Sequence, residues 1–153
     1  MSVIIISDTS CLIALDQIGM KDLLKDLFET IHITEEVLEE FGEGLPNWIK
    51  VRKVKDQSRI EQLKSRLDLG EASSIALALE IEEPCILIID EKLGRKVAKE
   101  YDLEIIGTLK VLLLAKQSKL IDSLESAIEQ LEGIGFRISK KIKEELIKLG
   151  EEK

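Results

Sequence analysis

The sequence predicts an α/β fold built on a parallel sheet, and three observations carry that prediction. Two strand-length runs, Val3–Ser7, apolar through Ile6, and Ile86–Ile89, apolar throughout, show no alternation, as expected of strands covered by helices on both faces. Runs of this kind alternate with stretches of helical periodicity along the whole chain, which is the βα signature. At 153 residues the chain fits one domain that can bury a core without disulfide or metal.

The elements follow in order. After Val3–Ser7, residues 10–28 hold two amphipathic helical stretches with a break at Ile18-Gly19. Thr30–Ile33 reads as a short strand, and Thr34 caps the helix TEEVLEEF, which stops at Gly42. GEGLPNW is a loop, and Ile49–Val54 alternates as an edge strand does. Ser58–Leu67 and Gly70–Glu82 are helical, the second with Ala72, Ile75, Ala76 and Leu79 on one face. Ile86–Ile89 ends at Asp90, Glu91–Tyr101 is helical, and Glu104–Ile106 is a short strand closed by Gly107. Thr108 caps the apolar helix LKVLLLAK, and from Asp122 onward the pattern is helical apart from GIGFRIS. Residues 1–117 thus form the α/β core and 118–153 a C-terminal helical extension of the same domain.

Composition narrows the function. No apolar run is long enough for a membrane span and no basic segment precedes one as in a signal peptide, so a cytoplasmic protein is expected. Cys11 and Cys85 have no ligand spacing and read as small buried hydrophobes. The net charge of −8 argues against a general nucleic-acid binder. Its distribution is uneven: residues 1–90 carry 9 basic and 18 acidic side chains, whereas residues 91–153 carry 13 and 12.

Asp8 and Asp90 each stand just past a buried strand, and ligands of open α/β sheets gather at those carboxyl ends where strand order reverses. Each is also a plausible helix cap, so the pair says more than either alone. Glu40 borders the buried side of its helix, while Glu36 and Glu39 are solvent-directed. Glu71 opens a helix, where the dipole favours a carboxylate, and one helix, turn and strand separate it from Asp90. Four converging carboxylates without a basic partner raise each other's pKa values, and bound divalent cations relieve this. Oxygen ligands favour Mg²⁺ or Mn²⁺, and the chemistry that suits them is phosphodiester hydrolysis. His32, inside a strand, reads as structural.

At these positions the chain resembles a PIN-domain protein. The segments DTSCLIAL, VLEEF, LGEASSIALALE, LIIDEKLGRKVA and IGTLKVLLLAK, followed by GFRIS, are similar in order and spacing to a branch related to VapC-type toxins. The resemblance implies a three-layer α/β/α sandwich with a mostly parallel sheet of four or five strands and a metal-dependent ribonuclease site. Asp8, Glu40, Glu71 and Asp90 match the family's acidic positions, and Ser10 the small polar residue that orients the first Asp. Glu71 stands where many relatives carry Asp, and Ile88 where many carry Thr or Ser.

Lys92, Arg95, Lys96 and Lys99 share a helical face beyond Asp90 and form a phosphate-contacting ridge or a solvated face. No aromatic residue interleaves with them, so base stacking is not expected. Leu124, Ile128 and Leu131, then Ile142, Leu146 and Leu149, read as core, with a homodimer face or an antitoxin groove as the alternative. The expected function is a Mg²⁺- or Mn²⁺-dependent endoribonuclease acting on RNA, the toxin-like partner of a small antitoxin. A non-catalytic binding module of the same fold is the alternative. A haloacid-dehalogenase-like phosphatase would need a second Asp where Ser10 stands, and a receiver domain a Lys at a late strand end.

Overall fold

The computed structural model of the protein describes residues 3–42 and 44–152, with the side chain of residue 152 left aside. The chain begins with β1 (Ile4–Ser7), α1 (Thr9–Gln17), α2 (Leu23–Phe28), β2 (Ile31–Thr34), α3 (Glu35–Phe41) and β3 (Ile49–Arg52). It continues with α4 (Gln57–Leu63), α5 (Leu69–Glu80), β4 (Cys85–Ile88), α6 (Lys92–Glu100) and β5 (Glu104–Ile106). It closes with α7 (Thr108–Gln117), α8 (Leu124–Gly133) and α9 (Lys140–Glu152). The five strands form one sheet in the order β3-β2-β1-β4-β5, and every pairing is parallel.

The apolar strands have partners on both faces. Ile5 and Ile88 point into a core with α1, α2, α7 and α8, while Ile6, Leu87 and Ile89 point into a second core with α4, α5 and α6. The result is the expected three-layer α/β/α sandwich. β3 lies at an edge of the sheet, as the sequence pattern indicates, and beyond the buried Ile49 both Lys50 and Val51 are exposed, without alternation. Leu124, Ala127, Ile128 and Leu131 of α8 lie inside the first core, whereas Ile142 and Leu149 of α9 are exposed and Leu146 and Ile147 pack at its border. Among the described residues, no helix is long and apolar enough to cross a membrane.

Several boundaries differ from the sequence reading for local reasons. The helix expected to reach Leu67 stops at Leu63, because residues 64–67 turn to bring Asp68 into the extended conformation that caps α5. Asp68 accepts from the Glu71 N–H, so α5 starts at Leu69 rather than Gly70. Gly107, not Thr108, is the N-cap of α7, which frees the Thr108 hydroxyl for another partner. Asp90 lies two residues beyond β4 rather than at its end.

Thr34 does cap α3, accepting from the Val37 N–H at 3.0 Å, and its hydroxyl meets the Ser73 hydroxyl of α5 at 2.7 Å. Both groups are fully buried, so the pair ties the β2–α3 corner to α5. Thr34→Val is expected to lower unfolding free energy by about 1–2 kcal/mol, the worth of a lost helix cap, since the Ser73 hydroxyl keeps the Gly70 carbonyl as acceptor. Urea unfolding reads this directly, and a change within a few tenths would show the pair to be idle.

Candidate functional site

β1 and β4 are neighbours, with Ser7 paired to Ile88, so the chain leaves both strands at the same edge of the sheet. From β1 the chain proceeds to β2 on one side, and β4 leads to β5 on the other. This is the point where strand order reverses, and such a point opens a crevice at the strand ends. Asp8 and Asp90 both follow strands that end there.

Asp8 follows β1 directly, and its backbone N–H reaches the Ile88 carbonyl at 3.3 Å. The residue is only 2% exposed, and among the described residues neither carboxylate oxygen has a hydrogen-bond partner. It sits at the N-cap position of α1 without making a side-chain cap bond. Burial pushes its pKa well up, and the neighbouring Asp90 and Glu71 carboxylates push it further, against a weaker opposing pull from the Cys11 N–H, which lies near the carboxylate but outside hydrogen-bonding geometry. A buried carboxylate with no donor is costly, and a proton or a cation is the remedy.

Glu71, in the first turn of α5, is 5% exposed, and its pKa rises to about 7. Burial is the chief cause, followed by the Asp68, Glu91 and Glu40 carboxylates. Asp90 is differently placed: its Oδ1 accepts the Thr108 N–H at 2.8 Å and its Oδ2 the Thr108 hydroxyl at 2.6 Å. Glu40 is exposed along α3 but reaches across the crevice, where the Thr9 hydroxyl donates to it at 2.7 Å.

Three glycines leave space for these acids. A Cβ on Gly70 would strike the Glu40 carboxylate, and one on Gly94 would meet Ile89 Cδ1 at 2.6 Å and Glu71 Cδ at 3.5 Å. One on Gly107 would stand 2.9 Å from both Asp90 Oδ1 and Arg95 Nη1.

The structure therefore draws Asp8, Glu71, Asp90 and Glu40 to one crevice, but not into a tight cage. Among the described residues, no three His, Cys, Asp or Glu side chains stand close enough to share an ion. The donor set nonetheless suits a hard divalent cation, since Mg²⁺ is commonly held by one or two carboxylates with water completing its shell. The two orphaned Asp8 oxygens are the observation behind that fit.

Other expected roles are distributed unevenly. Ser10 is exposed, and among the described residues no hydrogen bond joins it to Asp8; Thr9 is the hydroxyl that engages the acids. Glu36 is not solvent-directed: its Oε1 is buried without a partner, one turn before Glu40. Arg95 turns toward the site and donates to the Ile89 carbonyl at 3.0 Å, whereas Lys92 and Lys96 remain on the exposed face of α6. Asp68 and Glu91 escaped the sequence reading because each is also an ordinary helix cap, accepting from the Glu71 and Gly94 N–H groups. Cys11 is buried and its thiol pKa is raised, which suits packing rather than chemistry.

Two predictions follow from this geometry. Glu71 keeps its proton in the folded state up to about pH 7, against 4.5 for an ordinary glutamate. Between those values the folded state binds more protons than the unfolded one, so stability falls as pH rises. Urea unfolding in chelator at pH 5 and pH 8 should show that fall, and Glu71→Gln should reduce it, the remainder belonging to Asp8, whose pKa is raised in the same direction. His32, whose pKa is lowered by burial and Arg52, acts oppositely but equally in both proteins. Equal pH slopes for parent and variant would refute the assignment. Gly107→Ala, permitted by its negative φ, forces Asp90 or Arg95 to move and should destabilise by about 1–3 kcal/mol. An unchanged unfolding midpoint would mean that the neighbours yield freely.

Comparison with known proteins matches residues 4–152 to the family model DUF3368, described as a PIN domain. No curated protein and no solved structure matches the chain.

Proposed function

We propose, from the premise that the chain belongs to the PIN-domain family, that it is a divalent-metal-dependent endoribonuclease. PIN domains are generally nucleases, and the fold is of that nuclease type. One observation carries the finer reading: the Asp8 carboxylate, buried and without a hydrogen-bond partner, beside Glu71 and Asp90 at the strand-order reversal. A structural Asp in that position would be expected to cap α1, and this one does not.

In this reading Asp8, Glu40, Glu71 and Asp90 hold Mg²⁺ or Mn²⁺, directly or through water. The bound ions would lower the pKa of an attacking water and offset charge on the leaving oxygen. The residues have separable tasks. Asp8 supplies two free oxygens in a water-poor site, where their charge acts strongly. Thr108 fixes both Asp90 oxygens, which sets the direction of their remaining lone pairs. Thr9 holds Glu40 toward the crevice. Glu71, with a pKa of about 7, is able to gain or lose a proton near neutral pH when no cation is present.

The resemblance to VapC-type toxins supports a further step: a toxin-like component of a toxin–antitoxin pair, cytoplasmic, homodimeric and held by a small antitoxin protein. A specific observation favours a second reading, a nucleic-acid-binding module without turnover. No three acids stand within reach of one ion among the described residues, and Asp90 is already engaged by Thr108.

The test is RNA cleavage with Mg²⁺ and with Mn²⁺, by the parent and by Asp8→Asn. Asp8→Asn should lose at least about a hundredfold in rate, since it removes a charge from the reacting site. It should also be no less stable than the parent in chelator at pH 8, because it removes a buried uncompensated charge. Equal cleavage by the two proteins would exclude this site. Metal binding by the parent without any cleavage would favour the module.

A further inference from the structure

Beside Asp90 a groove of about 510 Å³ runs away from the acidic crevice toward the α8–α9 connection. That volume lies within the range of small-ligand clefts. One wall carries Arg95 and Lys110, and the other is formed by Phe136, Arg137 and Ile138, with α9 behind them. Among the described residues Asp90 is the one acid on the lining, so three cations face one carboxylate in a chain of net charge −8. Among the described residues none of those cations is engaged in a salt bridge.

The rest of the lining differs from a simple phosphate channel. Phe136 and Ile138 pack against the first core yet remain partly exposed, so part of an aromatic ring and of a branched aliphatic side chain lines the groove between the cations. The connection that carries them is fixed, not free. Phe136 N–H bonds to the Leu131 carbonyl at 3.0 Å, and Lys143 of α9 pairs with Glu132 of α8 at 3.1 Å. Gly150 lets α9 approach closely, since a Cβ there would meet Leu124 at 3.0 Å and Lys116 at 3.3 Å. An aromatic ring flanked by unpaired cations is the arrangement that single-stranded nucleic acid uses, with a base on the ring and phosphates on the charges. The expectation that base stacking plays no part came from the α6 ridge alone and does not extend to this groove.

We propose that the groove is a nucleotide subsite for single-stranded RNA, resting on the nuclease reading of the adjacent crevice. An unpaired base lies against Phe136 and Ile138, Lys110 and Arg137 hold the flanking phosphates, and Arg95 faces the strand where it passes Asp90. A duplex cannot offer an unstacked base to Phe136, so selection for unpaired RNA arises at this subsite rather than among the acids.

Binding is measured with a short fluorescein-labelled oligouridylate and a labelled RNA duplex, in Ca²⁺ buffer across a range of salt. Phe136→Leu, which keeps apolar volume, should weaken single-strand binding by about tenfold, and Phe136→Tyr should stay within about twofold of the parent. The Lys110→Gln/Arg137→Gln variant alters two exposed side chains and should reduce the salt slope by about 1.4. Duplex binding should be indifferent to position 136. The proposal is overturned if Phe136→Leu binds as the parent does, if the double variant keeps the parental slope, or if duplex loses as much as single strand. Cleavage by the parent that is unaffected by the groove variants removes the subsite and leaves the nuclease reading intact. Groove-dependent binding by a parent that leaves RNA uncut with Mn²⁺ does the reverse.

Discussion

Parallel pairing of β1 with β4, from Ile4 against Cys85 to Ser7 against Ile88, determines what this molecule has available for chemistry. The pairing places two strand ends side by side at the interior of the sheet, and the chain leaves them on paths toward opposite edges. The crevice between those paths is lined by what immediately follows each strand, namely Asp8 and the Ile89–Asp90 segment. Both cores support the pairing. Ile5 and Ile88 anchor it against the α1 and α7 side, and Ile6, Leu87 and Ile89 against α5 and α6. Burying those strands on both faces is also what buries Asp8. The desolvation that raises its pKa is therefore a direct consequence of the apolar runs that form the sheet.

Room for the acids had to be made elsewhere. Gly70, Gly94 and Gly107 each stand where a Cβ would press on Glu40, on Ile89 and Glu71, or on Asp90 and Arg95. Their φ values are not in the left-handed region, so spatial clearance rather than backbone freedom accounts for them. Each lies near the start of a helix or at its cap, where the backbone approaches the crevice most closely. Asp68 and Glu91 combine two effects. As caps of α5 and α6 they satisfy backbone donors, and as carboxylates they push up the pKa of Glu71. Helix capping and the acidity of the crevice are thus coupled through the same side chains.

How much of this could be read from sequence depended on whether a signal was local. The strand runs, the break at Gly19, the Thr34 cap and the edge strand at Ile49 are short-range patterns, and the structure has them. Asp8 and Asp90 were legible because an acid ending an apolar strand is unusual in itself. Asp68, Glu91 and Thr108 carried no comparable mark, since helix starts ordinarily hold such residues. Glu36 was misjudged because periodicity assigns a face of a helix but not what another helix does to that face. Thr9, rather than Ser10, engages the acids for a similar reason: its partner Glu40 is remote in sequence, and only the packing of α1 beside α3 brings the two together. Phe136 was the least legible of all. Its surroundings are assembled from α6, the start of α7 and the α8–α9 connection, which no window of sequence contains.

The charge distribution of the chain acquires a reason once the two regions are seen together. Asp8, Glu40, Asp68 and Glu71 all come from residues 1–90, whose balance is strongly acidic, while Arg95, Lys110 and Arg137 all come from residues 91–153, whose balance is slightly basic. Asp90 lies at the junction of the two halves and lines both the crevice and the groove. A polyanion approaching the acids alone would meet repulsion over a distance comparable to the Debye length, about 8 Å at physiological salt. Cations placed next to the acids, rather than among them, lower that barrier without forming salt bridges that would neutralise the crevice. In the proposed reading, a crevice kept acidic favours divalent cations, and a groove kept basic favours phosphate. The fold keeps the two largely apart by drawing them mostly from different halves of the chain, with Asp90 and Glu91 at the junction.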